Sequence, residues 1–174
     1  VVPSEDSLAP DASMAFWRIP VADGEPALMA TYPFDLSLFF AGQALSPDRT
    51  QTVYLQRTNP EANQWALHFA RLDGAADVNS RSGNLRFITW SPDGRWATIE
   101  QDGEYYIGDA SGSFRPLADV LPVVEVQWVD AQRFLFLSGD YENMQLLLGR
   151  LDAPSQSIGA AADGYIPFSF STGN

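Results

Sequence analysis

The chain has 174 residues, 45% hydrophobic and 13% aromatic, with 10 Lys and Arg against 22 Asp and Glu. That apolar content supports a packed core and excludes a disordered chain, while a formal net charge of -12 opposes binding to nucleic-acid phosphates or anionic lipid headgroups. The absence of cysteine removes disulfides, thiolate catalysis and cysteine-ligated metals, and no run of apolar residues is long enough to span a membrane as a helix.

Residues 1–14, VVPSEDSLAPDASM, mix proline, serine and acids and read as a flexible linker or tether ahead of a folded domain over 15–174. The first residue is Val1 rather than Met, which fits a processed chain or a piece of a longer one. FWRIPVADGEPALM (16–29) predicts strand, Asp23-Gly24 turn, strand. FAGQALSPDRTQTVYL (40–55) predicts a strand, a turn at Ser46-Pro47-Asp48 and a second strand; LHFARLDGAADV (67–78) follows with a turn at Asp73-Gly74. A helical period is weakly present around 60–70 and hard to place elsewhere.

The middle of the chain is the clearest. LRFITW (85–90) is apolar on both faces, as a strand between stacked sheets should be. Ser91-Pro92-Asp93-Gly94 is a turn in which Pro sets φ, Asp caps and Gly takes the left-handed position. RWATIE, a turn at Gln101-Asp102-Gly103, EYYIGD, a turn at Ser111-Gly112 and FRPL complete four strands, with Pro116 tolerated on an outer strand that can lose a donor. VEVQWVDAQRFLFL (124–137), LLLGRLDAPSQSI (146–158) and GYIPFSFSTGN (164–174) continue in the same manner.

The pattern repeats. Trp90 falls on Trp128, Arg95 on Arg133 and Trp96 on Phe134 at a spacing of 38; Leu45 precedes Trp90 by 45, and Phe170 follows Trp128 by 42. Four short strands per such unit predict an all-β fold of propeller-type blades, each of four antiparallel strands. Whole blades are expected at 38–79, 85–119 and 123–160, with a fourth split between 16–29 and 165–170. The ring would close on itself at four blades or form part of a larger one. Trp90, Trp96, Trp128 and Phe134 are the expected inter-blade core.

TWSPDGRWATI (89–99) resembles the Trp-Ser-Pro-Asp-Gly signature of TolB-like, WD-repeat-like β-propellers. The same signature occurs in the propeller halves of prolyl-oligopeptidase-type peptidases. The resemblance extends over about 15–174. It is specific at Trp90, Ser91, Pro92, Asp93 and Gly94, good at Ser46, Pro47 and Asp48, and degenerate at Val129-Asp130-Ala131 and Ser171-Thr172-Gly173. It implies a propeller fold and an extracytoplasmic setting (periplasmic, cell-surface or secreted). Those peptidases keep their triad in a separate hydrolase domain, so the resemblance carries over no catalytic residue.

The residues themselves offer little catalytic chemistry. His68 is the single histidine and falls in an apolar strand, where packing is its expected role; no Gly-x-Ser-x-Gly elbow accompanies it. The carboxylate pairs Glu5/Asp6, Asp23/Glu25, Asp102/Glu104 and Asp140/Glu142 lie at turns, where Asp serves the backbone. No D-x-D-x-D-G run marks a cation loop, and no metal or cofactor is expected. The expected function is a non-catalytic protein-binding or assembly module, docking a protein partner, itself or a larger complex through rim loops or open blade edges. Rim candidates are Asn63 and Trp65 in a lengthened first unit, Asp102, and Tyr141 with Glu142. The alternatives are a glycan-active hydrolase or lyase using channel carboxylates, and a regulatory propeller domain of a larger enzyme or sensor.

Overall fold

The structure, a computed structural model, describes residues 13–33, 45–59, 64–74, 78–117, 123–140 and 142–162. They form antiparallel sheets in which strand order follows the chain. β1 (Ser13–Arg18) and β2 (Ala27–Pro33) pair as a two-stranded sheet. β3 (Gln51–Asn59), β4 (Gln64–Arg71) and β5 (Val78–Gly83) make a three-stranded sheet, with a bridge from Leu45 to Thr52 where a first strand would enter. β6 (Leu85–Trp90), β7 (Trp96–Gln101), β8 (Glu104–Asp109) and β9 (Phe114–Pro116) form a four-stranded sheet, as do β10 (Val123–Trp128), β11 (Arg133–Ser138), β12 (Asn143–Arg150) and β13 (Gln156–Ala162). The fold is all-β with blades of four antiparallel strands. Among the described residues no helix is long and apolar enough to cross a membrane.

The first unit runs to Gly83 rather than 79, and the weak helical period near 60–70 gives way to β4, which is hydrogen-bonded on both sides. Periodicity alone cannot outweigh two ladders of backbone bonds. The strands expected at 38–44 and 165–170, including Phe170, lie outside the described residues, as do residues 1–12 of the expected linker, whereas its last two residues, Ser13 and Met14, belong to β1.

Local chemistry sets the hairpins. Asp102 (φ 54°) and Gly103 (φ 87°) both take left-handed backbone between β7 and β8, the two-residue turn whose twist matches the flanking strands. The Ser-Pro-Asp turns are built alike twice. Ser91 Oγ donates to Asp93 Oδ1 at 2.6 Å and accepts the Trp96 N–H at 3.0 Å; Ser46 Oγ donates to Asp48 Oδ1 at 2.7 Å and accepts the Gln51 N–H at 3.0 Å. Both serines are buried, and each hydroxyl is satisfied as donor and as acceptor within its own turn.

Consecutive sheets pack face to face. One core cluster joins Val53, Leu67 and Phe69 to Leu85, Phe87, Trp90 and Ile99; a second joins Tyr105, Ile107 and Leu117 to Val126, Trp128, Phe134 and Phe136. The β6–β9 sheet thus gives one face to each cluster. Trp128 Nε1 donates to Thr98 Oγ1 at 3.1 Å across the second junction, which settles an indole that could not be buried unpaired. Trp90, Trp128 and Phe134 are buried as expected, but Trp96 is only half-buried and is not the structural counterpart of Phe134. Trp90 pairs with Ala97, and Trp128 pairs with Phe134. The turn after Trp128 is one residue shorter, which slides the following strand by one position. Arg133 therefore occupies the Trp96 place.

Candidate functional site

The sequence-derived rim residues fall on equivalent hairpins. Asp102 is in the β7–β8 turn and Glu142 in the β11–β12 turn, both at the same end of their sheets as the β3–β4 hairpin. Trp65, expected in an inserted loop, is the second residue of β4 and pairs with Arg57 and Gly83. The Arg57 guanidinium lies over its ring at 4.5 Å, so a cation already covers the indole. Asn63 and Tyr141 lie outside the described residues.

Carboxylates at these turns serve their own loops. Asp140 Oδ1 accepts the N–H groups of Glu142 at 3.1 Å and Asn143 at 2.9 Å. Glu104 Oε2 accepts the Tyr106 hydroxyl at 2.7 Å, and that bond pushes the phenol above its ordinary pKa. His68 is buried with its ring stacked on Tyr54 at 4.6 Å, and Tyr54 stacks on Tyr32 at 5.3 Å. This column of rings ties β4 and β3 to β2, which gives the histidine a packing role. Tyr32 adds a hydrogen bond from its hydroxyl to the Arg71 carbonyl at 2.7 Å.

A surface that sequence reading missed lies on the β1–β2 sheet. Its inner face sets Met14 beside Tyr32 and Phe16 beside Ala30, all half-buried. Its outer face sets Ala15 beside Thr31 and Trp17 beside Leu28, with no ionisable group in either pair. A bulge between Phe16 and Trp17 leaves Met29 as the extra residue on β2. Trp17 is 56% exposed, Leu28 53% and Ile19 70%, with Val21 and Met29 exposed beside them. The only other exposed large hydrophobic residue among those described is Ile158. The available signal was the alternation of Phe16 and Trp17, which puts an aromatic on each face of one strand.

The sheets define the chain as a protein of propeller-type, four-stranded antiparallel blades. No protein-family model matches it, and no curated protein sequence does. Among solved structures it is similar to the crystal structure of TolB from Acinetobacter baumannii, at 14% identity and a TM-score of 0.48, over 86% of this chain and 41% of that one. The chain therefore spans less than half the length of that TolB chain.

Proposed function

We propose that the chain is a non-catalytic protein-docking module that engages a folded partner through the outer face of the β1–β2 sheet. The observation that carries this reading is the concentration of exposed large apolar side chains between Trp17 and Met29. Exposed apolar surface of this kind, free of charge at its centre, is the usual composition of a contact patch. At the two junctions joining the β3–β5, β6–β9 and β10–β13 sheets, apolar sheet faces are covered by the neighbouring sheet. The partner surface that fits is therefore an apolar sheet face continuing the stack. An extracytoplasmic setting belongs to this reading and rests on the resemblance at 89–99.

A photo-crosslinking residue at position 17 tests the surface, with one at position 102 as the rim alternative. The expected result is a discrete adduct from position 17 whose purified partner rebinds the chain and is lost on Leu28→Glu. Adducts from position 102 alone, or a partner that binds Leu28→Glu equally well, would overturn it. Cell fractionation checks the compartment independently.

A further inference from the structure

At the opposite rim, a cleft of about 470 Å³ separates the β6–β9 and β10–β13 sheets. Its walls carry Trp96 and Leu151, both packed on the second core cluster, and around them stand Asp93, Asp109, Asp152 and Arg95. The repeat shows what belongs in such a place. Arg71-Leu72-Asp73 ends β4 as Arg150-Leu151-Asp152 ends β12, and the two leucines are anchored alike: Leu72 N–H donates to the Thr50 carbonyl at 2.9 Å, Leu151 N–H to the Gln132 carbonyl at 3.0 Å. In the first unit Asp73 is held by the Arg71 guanidinium, whose Nε lies 3.1 Å from each carboxylate oxygen. In the third, Asp130 is held by Arg133 at 2.6 Å. Asp152, by contrast, makes no hydrogen bond or ion pair with any other described residue.

The register row across the turns agrees. It reads Gln51–Arg71 in the first unit and Arg133–Arg150 in the third, but Trp96–Asp109 in the middle one. The units on either side bring an arginine to this row, and the middle unit brings an aromatic plate and a carboxylate. Asp109 Oδ1 accepts the Ser111 N–H at 2.9 Å. Two arginines border the cleft: Arg115 donates to the Leu151 carbonyl at 2.7 Å, and Arg95 is mostly exposed and lies 3.7 Å from Asp93, a loose pair that an incoming group can displace.

We propose that this cleft receives an arginine side chain from a partner polypeptide, its guanidinium stacked on Trp96 between the carboxylates of Asp109 and Asp152. A guanidinium suits the site because it is planar, stacks on indole and forks onto carboxylates, which an ammonium does not do. The chain uses the same stacking internally, with Arg57 over Trp65 at 4.5 Å and Arg81 over Tyr106 at 4.0 Å. The net charge of -12 favours the approach of a basic segment. This site is separate from the β1–β2 face and does not depend on it.

The test is an NMR titration that follows the assigned Trp96 indole N–H. The probe is N-acetyl-arginine amide, with N-acetyl-citrulline amide as its uncharged counterpart. A saturable shift with the arginine probe alone is expected, weakened by about fivefold in Asp152→Asn, as loss of one charge partner would give. Asp152 is an exposed turn residue, so this variant keeps the spectrum of the fold even where Asp109→Asn does not. An acetylated Gly-Ser-Arg-Ser-Gly amide should bind at least as tightly as the capped amino acid. Overturning results are small shifts spread evenly over the acidic surface, equal affinity in Asp152→Asn, a peptide weaker than the capped amino acid, or saturation by a neutral disaccharide instead.

Discussion

Arg49 and Gly94 stand at the same place in two copies of one turn, and they show how differently that place can be filled. Both take left-handed backbone, Arg49 at φ 59° and Gly94 at φ 70°. A side chain there costs about 1 kcal/mol through Cβ crowding against the backbone, a cost glycine avoids. Arg49 is exposed, whereas Gly94 is buried where a Cβ would sit 3.3 Å from both Asp48 Oδ1 and Ser46 Cβ. The two turns thus touch, and the second must be small because the first lies against it. Arg49→Gly is therefore expected to raise stability by about 0.5–1 kcal/mol. Gly94→Arg is expected to lower it by about 2 kcal/mol or more, since it adds overpacking to the backbone cost. Urea unfolding midpoints compare the two directly, and equal effects of opposite sign would contradict the contact between turns.

At the scale of strands, the units differ in where they keep one aromatic ring. In the β6–β9 sheet Ala97 pairs with Gly108 and Gly108 with Phe114, whose ring covers the glycine. In the β10–β13 sheet Phe134 itself stands on β11 and covers Gly149. The ring moves from the outer strand to the second strand, and the glycine beneath it stays. A methyl on either glycine would collide with its ring, but the rings are not equally free to move. Phe114 is half-buried on a three-residue edge strand, and Phe134 is 1% exposed. Gly149→Ala should cost about 3 kcal/mol and Gly108→Ala about 1 kcal/mol, within the range for overpacking. Thermal melts that rank them the other way would place the rigid ring on β9. This difference also marks what the sequence made legible. Four strands per unit, their turns and the buried Trp90 and Trp128 follow from alternation and from Asp, Gly and Pro at fixed offsets. The pairing of Trp96 with Phe134 did not survive. Asp130 does alone what Ser91 and Asp93 do together: it accepts the N–H groups of Gln132 at 2.9 Å and Arg133 at 2.8 Å, which shortens the turn. A one-residue deletion is invisible in a motif match and decisive in a register. The apolar β1–β2 face was equally hidden, because burial depends on which sheet lies opposite.

For the molecule as a whole, charge sets two opposing dependences on pH. The net charge of -12 makes the folded chain repel itself at neutral pH, and this relaxes on acidification toward the isoelectric point near 4.2. Raising ionic strength from about 0.01 M to 0.15 M shortens the screening length from about 30 Å to 8 Å, so salt should raise the melting temperature at pH 7 and do little near pH 4.2. Against this work the turn carboxylates. The Ser46 hydroxyl bonded to Asp48 holds that carboxyl below its usual value. At Asp130 burial pushes upward, but the Gln132 N–H and Arg133 outweigh it and leave the group lowered as well. Because both groups titrate lower in the folded chain, the unfolded chain binds more protons just below the usual value of 3.8. Their contribution is complete above that value and is lost as the pH falls through their lower folded values. Stability should therefore hold or rise from pH 7 down to about the isoelectric point and fall beneath it. The double variant Asp48→Asn/Asp130→Asn cannot take up those protons, so its stability should fall less steeply below pH 3.8 even where its midpoint at pH 7 is lower. Urea midpoints measured across the acid range separate the two effects. An unchanged acid slope in the double variant would mean that carboxylates elsewhere carry the acid lability, and a melting temperature indifferent to salt at pH 7 would mean that the acidic surface does not repel itself.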